Sequence, residues 1–286
     1  MILITGGNGQ LGTELRHLLD ERGVSYTAAD VNELDITDKN AVETFFDQHK
    51  PEIVYHCAAY TAVDKAEDEG ATLNTEINVD GTRNIAQSAS KIGAIVIYIS
   101  TDYVFSGNKN LGEEWEVDDI PHPQSNYGIA KLAGEEEVRH SGAPHYIVRT
   151  SWAFGSYGNN FVFTMQRLAK NNKVISVVDD QHGRPTWTRT LAEFMTYIVD
   201  NHAEYGTYHL TNDTDPGEDV TWYDFAKKIL KGNEVKIHHI NSTSLESKAR
   251  RPYNSVLSLT KAKQLGFKIP KWQDALAEML KLGDLR

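Results

Sequence analysis

The chain has 286 residues, 40% hydrophobic and 24% charged, a balance that fits a globular protein with a full core and about two domain-sized units. A formal net charge of −11 excludes a general nucleic-acid binder, which needs a basic face, and leaves room only for a local basic pocket. The longest apolar runs, such as AIVIYI at 94–99, have strand length and fall well short of the ~18 residues that span a bilayer.

No basic n-region or cleavage site marks the N-terminus, so no signal peptide and no membrane partner are expected, and a cytoplasmic location is. Cys57 is the single cysteine, which rules out an internal disulfide and fits a reducing compartment.

MILIT (1–5) reads as a buried strand, followed by a glycine-rich turn and a segment with helical apolar spacing. VSYTAA (24–29) is a second strand ended by Asp30, helical signals return at 39–48, and EIVYH (52–56) is a third strand. A long helix is predicted over 71–91 and a fourth strand over 94–100. This alternation defines βαβ units, so the expected fold class is α/β, a Rossmann-type doubly wound parallel sheet.

Loop chemistry fills 106–126, a helix follows at 127–140, and HYIVRTSW (145–152) is a strand. The rhythm then loosens: helices at 160–170 and 189–201, strands at 173–178 and in TYHL and VKIHHI, the helix TWYDFAKKIL, and two closing helices. Residues 1–150 are expected to form the sheet unit, completed by elements around 187–212. Residues 151–286 are expected to form mainly a smaller, discontinuous mixed α/β lobe.

Gly6, Gly9 and Gly12 form GxxGxxG between the first strand and the first helix. One glycine makes the tight turn, one lets a pyrophosphate approach the backbone, and one lets the helix pack on the strand. The helix N-terminus, with Gln10 and Leu11, supplies free amides for phosphate. The turn therefore points to a dinucleotide, and residues 1–150 to a dinucleotide-binding unit.

Asp30 falls where a carboxylate holds the adenosine ribose hydroxyls, and on charge alone it favours NADH over NADPH. Its other reading is a helix cap or surface turn. Asp35 and Ile36 are placed to flank the adenine. After the third strand, Ala58 and Ala59 are small enough for close passage of the cofactor, with Tyr60 and Thr61 following at the same edge. Ser100, Thr101 and Asp102 end the fourth strand where substrate should lie.

Two segments place a tyrosine four residues before a lysine, NYGIAK (Tyr127, Lys131) and WYDFAK (Tyr223, Lys227). On a helix both pairs share one face. Gly128 and Ala130 leave room beside Tyr127, and Thr101 ends a strand at the same sheet edge. Tyr223 instead sits between a predicted capping box, Thr221 and Asp224, and a core stripe of Phe225 and Ile229. Tyr127 is therefore the expected catalytic tyrosine.

GGNGQLG, AAYTAVDKAE (58–67), STDYVF (100–105) and YGIAK together resemble the extended short-chain dehydrogenase/reductase family. RTSWAFG, NNFVFTM, DDQHGRPTW and RRPYNSVLSLTK extend the resemblance over nearly the whole chain, toward reductases of nucleotide-linked 4-keto-6-deoxy sugars. It implies a catalytic set of Thr101, Tyr127 and Lys131, with NADPH or NADH as hydride donor.

In that reading Tyr127 protonates the developing alkoxide. Lys131 and the nicotinamide ring favour the phenolate, and Lys131 also holds the nicotinamide ribose. Thr101 orients the substrate oxygen, and Asp102 and Trp152 line the sugar site. Trp152 also reads as a core residue. The resemblance admits rivals, an epimerase or dehydratase of the same fold or a non-catalytic regulatory subunit. A dehydratase would be expected to carry Glu where Tyr103 stands, and the intact triad argues against the regulatory subunit.

Arg250 and Arg251 read either as diphosphate ligands or as a surface salt bridge. His182 is expected to be a loop residue near the substrate lobe. His238 and His239 point to opposite strand faces, so no zinc site is assigned. Some members of the family dimerise around a magnesium held by glutamates. Glu14 falls where one such glutamate would be, but no further ligand matches, so a homodimer and magnesium stay open.

Overall fold

The computed structural model describes residues 1–283. Six parallel strands form the main sheet: β1 (Ile2–Thr5), β2 (Tyr26–Ala29), β3 (Ile53–His56), β4 (Ile95–Thr101), β5 (His145–Thr150) and β9 (Gly206–His209). Their order is β2-β1-β3-β4-β5-β9, so the direction of winding reverses between β1 and β3. In such sheets the crevice beyond the carboxyl ends at the reversal is the ligand site.

Strand alternation divides the core between the two faces. Ile4, Tyr55, Ile97 and Val148 pack against α1 (Gln10–Glu21) and α7 (Thr188–Asp200), which bring Leu15, Leu19, Leu191, Phe194 and Ile198. Leu3, Val54, Val96 and Ile147 face the other way, against α2 (Lys39–His49), α4 (Thr82–Ile92) and α5 (Asn126–His140), with Phe46, Ile85, Ala89 and Val138. Strands buried on both faces read as continuous apolar runs, as these do.

Most of the remaining chain builds a second core, while Ala262, Leu265 and Phe267 join the main sheet core. Between α5 and α7 lie β6 (Ala153–Phe154), α6 (Phe161–Asn171), β7 (Val174–Val178) and β8 (Thr186–Trp187); α8 (Trp222–Ile229), β10 (Lys236–Ile240), α9 (Thr260–Gln264) and α10 (Trp272–Gly283) follow β9. Pairs β6–β8 and β7–β10 make two small parallel sheets. Phe154, Val162, Trp187, Phe225, Trp272 and Leu276 fill the space between them and the helices. Helix α7 and strand β9 belong to the main sheet unit although they come late in the chain.

The long helix predicted at 71–91 is continuous, with an irregularity the periodicity did not reveal. α3 (Ala71–Thr75) passes into a π-helical turn at Glu76–Gly81 before α4. A π turn widens the helix by one residue per turn, a device that accumulates at functional sites. Here it carries buried Asn78 toward the sheet edge.

One ion pair lies inside this core. Glu135 on α5 accepts from Arg149 on β5 through Nε (2.8 Å) and Nη2 (2.7 Å), and also from Ser100 Oγ (2.5 Å) and Arg139 Nη2 (2.7 Å). Glu135 and Arg149 are 0% and 2% exposed. Removing one partner of a buried pair leaves an uncompensated charge and costs about 3–5 kcal/mol. Arg149→Met should lose stability of about that size in urea unfolding, and a loss below about 1 kcal/mol would mean that Arg139 and Ser100 suffice.

Candidate active site

The glycine turn meets β3 at very short range. Gly6 has φ +63°, and a Cβ there would lie 2.6 Å from the Ala58 backbone; a Cβ on Gly12 would lie 2.2 Å from the Gly6 carbonyl oxygen. Gly9 differs, because its would-be Cβ meets only the Gly6 oxygen at 3.2 Å and otherwise faces open space. Gly9 also caps α1 without any side chain, and the first-turn amides of a helix have no internal partner.

Beside them the Gln10 side-chain oxygen is buried with no hydrogen-bond partner, as is Ser156 Oγ on the loop that lies against the helix start. Gly158 of that loop approaches Gln10, and Tyr157 stacks on His17 at 4.9 Å. A bare glycine face, free helix amides and the unpaired Ser156 hydroxyl fit a bound pyrophosphate, whereas the Gln10 oxygen only accepts and awaits a donor.

Asp30 directly follows β2, and its carboxylate accepts from Asn8 N (3.0 Å) and Val31 N (2.8 Å). Asp35 is exposed and bonds Thr37 through its amide (2.9 Å) and hydroxyl (2.7 Å), while Ile36 is buried against Gly81. Ile36 is thus a core residue as well as a neighbour of the crevice.

After β3, Ala58, Ala59, Tyr60 and Thr61 form the loop along that crevice. Asn78 of the π turn clamps the loop, accepting from Tyr60 N (3.1 Å) and donating to Tyr60 O (3.0 Å). Asn78 also donates to Asn74 (2.8 Å), which in turn donates to the carbonyl of Asn126, the residue before Tyr127 (3.0 Å). Two buried amides therefore link the cofactor loop to the start of α5. They lie four apart, a spacing visible in the sequence, but nothing there marks either one as buried.

Thr101 Oγ1 donates to Asp102 Oδ1 (3.0 Å) and accepts from Tyr103 N (3.2 Å). Tyr127 lies on the first turn of α5, whose N-cap Ser125 accepts from Gly128 N at 3.1 Å. Its ring meets Tyr103 edge-on at 5.6 Å. Lys131 is 2% exposed with its ammonium 4.0 Å from the Tyr98 ring centroid, a cation–π contact. The structure thus brings Thr101, Asp102, Tyr127 and Lys131 to one sheet edge.

Burial dominates their titration. Burial, then the Asp102 charge, hold the Tyr127 phenol well above its usual range, and the Thr101 hydroxyl partly offsets them. Burial pushes Lys131 down to about 7, with Glu135 and Cys57 pulling the other way. Asp102 is raised to about 6 by burial, against the Ser255 and Thr101 hydroxyls, and its Oδ2 has no hydrogen-bond partner. At neutral pH the phenol holds its proton, the form needed by a group that protonates an alkoxide.

Trp152 has φ +47°, a strained conformation for a large side chain, and stacks on Trp222 at 3.9 Å. The sequence did not single out Trp222; it falls within the second Tyr-Lys segment. Trp222 also lines a cavity of about 390 Å³ with Phe161, Gln181, Val178, Asp64 and Arg251. Arg251 pairs with Asp64 (2.7 Å) and Arg250 donates to Gln124 (3.2 Å), so Arg251 borders this cavity in a salt bridge.

In WYDFAK the capping box is present, Phe225 is buried, and Lys227 lies 5.1 Å from the Tyr223 ring centroid, half exposed in the second lobe. His182 is buried with Nδ1 2.9 Å from Asp219, and His239 pairs with Asp179 at 2.7 Å. Glu14 is buried between α1 and α7, accepting from Thr188 (3.3 Å) and 3.9 Å from Arg189. That setting does not fit an open magnesium ligand, and no group of three or more metal-binding side chains occurs among the described residues. No described helix is long and apolar enough to cross a membrane.

The parallel sheet, its glycine turn and the tyrosine-lysine helix define a dinucleotide-binding short-chain dehydrogenase/reductase. The RmlD substrate binding domain model matches residues 1–284, and the chain belongs to that family. It is 40% identical to a dTDP-4-dehydrorhamnose reductase of Aggregatibacter actinomycetemcomitans over 96% of each protein. The crystal structure of a dTDP-4-dehydrorhamnose reductase from Clostridium acetobutylicum superposes with a TM-score of 0.93 at 41% identity, covering 98% of both chains. One from Bacillus anthracis, in complex with NADP, gives 0.92 at 37% identity over 98% of both.

Lys131 has a consequence for stability. Its folded form releases a proton near 7 and its unfolded form near 10.5, so between those values the unfolded chain holds the extra proton and rising pH favours folding. The urea midpoint should rise between pH of about 7 and about 9.5 by more than in Lys131→Met. Equal changes in the two proteins would remove Lys131 as the cause.

Proposed function

We propose that this chain reduces the C4 keto group of dTDP-4-dehydro-L-rhamnose to dTDP-L-rhamnose with NADPH or NADH, in the cytoplasm. The observation that carries the reading is the gathering of Thr101, Tyr127 and Lys131 beside the glycine turn, in a chain related over its full length to dTDP-4-dehydrorhamnose reductases.

The cofactor, when bound, supplies hydride. Gly6, Gly9, Gln10, Leu11 and Gly12 cradle its pyrophosphate. Asp30, Asp35 and Ile36 border its adenosine, and Ala58, Ala59, Tyr60 and Thr61 border its other half. Tyr127 gives its phenolic proton to the C4 oxygen and is left as phenolate. Lys131 offsets that charge and holds the nicotinamide ribose. Thr101 turns its hydroxyl proton from Asp102 to the same oxygen, and burial strengthens the bond because no water competes. Asp102 and Trp152, backed by Trp222, line the sugar. On this reading residues 1–150 with 187–212 hold the cofactor, and the rest of 151–286 holds the nucleotide sugar.

Purified protein given the keto sugar should oxidise NADPH or NADH stoichiometrically with formation of the rhamnose product. Retained NAD with sugar interconversion and no net oxidation would instead identify an epimerase.

A further inference from the structure

We propose that Tyr98 is a positioning residue for the reduction: the face of its ring, and not a carboxylate, holds the Lys131 ammonium at the sheet edge that carries the proton-donating phenol. The inference rests on the reductase reading above and deepens it, by assigning the residue that sets Lys131 in place.

Tyr98 lies on β4 two residues after Val96, so the strand carries both side chains toward α4 and α5. It is fully buried. The bare backbone of Gly134 makes room for its hydroxyl, which donates to the Lys131 carbonyl oxygen at 3.3 Å. The ring meets the side chain of the same lysine, with the ammonium 4.0 Å from its centroid. Tyr98 thus grips Lys131 twice, by the backbone and by the charge.

Four lysines lie over aromatic rings among the described residues. Lys109 also pairs with Asp119, Lys227 also pairs with Asp224, and Lys261 also donates to Thr207 O. For the Lys131 ammonium, the ring is the one hydrogen-bonding, ionic or aromatic partner among the described residues.

The titratable groups around Lys131 leave that role to the ring. Glu135, one turn on, has both oxygens occupied, Oε1 by Ser100 and Arg149 Nε, and Oε2 by Arg149 Nη2 and Arg139 Nη2. His56 on β3 faces Thr5 and Thr82 with its two ring nitrogens and is held neutral by burial, then by the Lys131 charge. Burial pushes the Cys57 thiol beside it up to about 12. Tyr127 keeps its proton, and Asp102, just past β4, acts on Tyr127.

A ring face attracts a cation through its quadrupole. It favours the charged ammonium against burial and leaves its donors free for the nicotinamide ribose and the phenolate. A carboxylate in the same place would cancel the charge that the phenolate needs.

The test follows the side-chain NMR signal of Lys131 through pH, in isotope-labelled protein without substrate, with Lys131→Met assigning the signal. Burial brings the midpoint down to about 7 in the unaltered chain. Tyr98→Phe keeps the ring and loses the hydroxyl, and should stay within about 0.3 pH unit of it. A trifluorinated phenylalanine at position 98 has nearly the same shape and a weakened ring face, and should lower the midpoint by about half a pH unit or more. The basic limb of kcat/KM should move to lower pH by the same amount, because Lys131 acts as the cation.

Equal midpoints with the two rings would make Tyr98 a packing residue and overturn the proposal, since packing barely senses the change in ring charge. A midpoint that moves in a protein unable to reduce the keto sugar would support the hold of Tyr98 on Lys131 and count against the reductase reading alone.

Discussion

The site depends on how closely α5 presses against the carboxyl edge of β4. A Cβ on Gly128 would lie 2.3 Å from the Tyr103 carbonyl oxygen, and one on Gly134 would lie 2.3 Å from the Tyr98 hydroxyl and 2.5 Å from the Asn78 carbonyl oxygen. Any side chain at either position forces the helix outward. Because both are bare, the face carrying Tyr127, Lys131 and Glu135 turns into the protein, and two charged groups are buried within one turn of each other. Their fates differ for a physical reason. Glu135 has Arg149, Arg139 and Ser100 and is held below its usual range, whereas burial pushes Lys131 down to about 7.

That difference organises the chemistry. A phenol raised by burial and by Asp102 is a proton donor at neutral pH, and the Thr101 hydroxyl donates to that same Asp102. The Asn74–Asn78 link holds the loop after β3 at a set distance from Tyr127. Cofactor loop and proton donor are therefore positioned by one hydrogen-bonded chain and by close packing, both set when the core assembles. Preorganised polar groups of this kind need little rearrangement when charge develops.

Much of this was legible in the residues. The glycine turn, the strand ends and the alternation of elements are local signals, and the order of parallel strands follows from them. NYGIAK and WYDFAK have identical spacing, so the spacing of Tyr127 and Tyr223 separated nothing; Gly128 on one side and the Thr221–Asp224 capping box on the other did. The illegible parts are all long-range. Asn74 and Asn78 look like ordinary polar helix residues until the π turn buries them. The Trp152–Trp222 stack joins residues 70 apart, and Arg251 meets Asp64 from the far end of the chain. The upward push on the phenol is illegible for the same reason: the Tyr127–Lys131 spacing is local, while burial and the neighbouring Asp102 arise only in the folded chain.

The most direct test of the account is single-turnover hydride transfer in Tyr127→Phe, with cofactor affinity measured on the same protein. Loss of the general acid should slow the step by about 10²–10⁴-fold while NADPH binding stays within about twofold, since the phenol is assigned to proton delivery. Near-normal transfer in that variant would contradict Tyr127 as the proton donor, and with it the role given to the seating of α5.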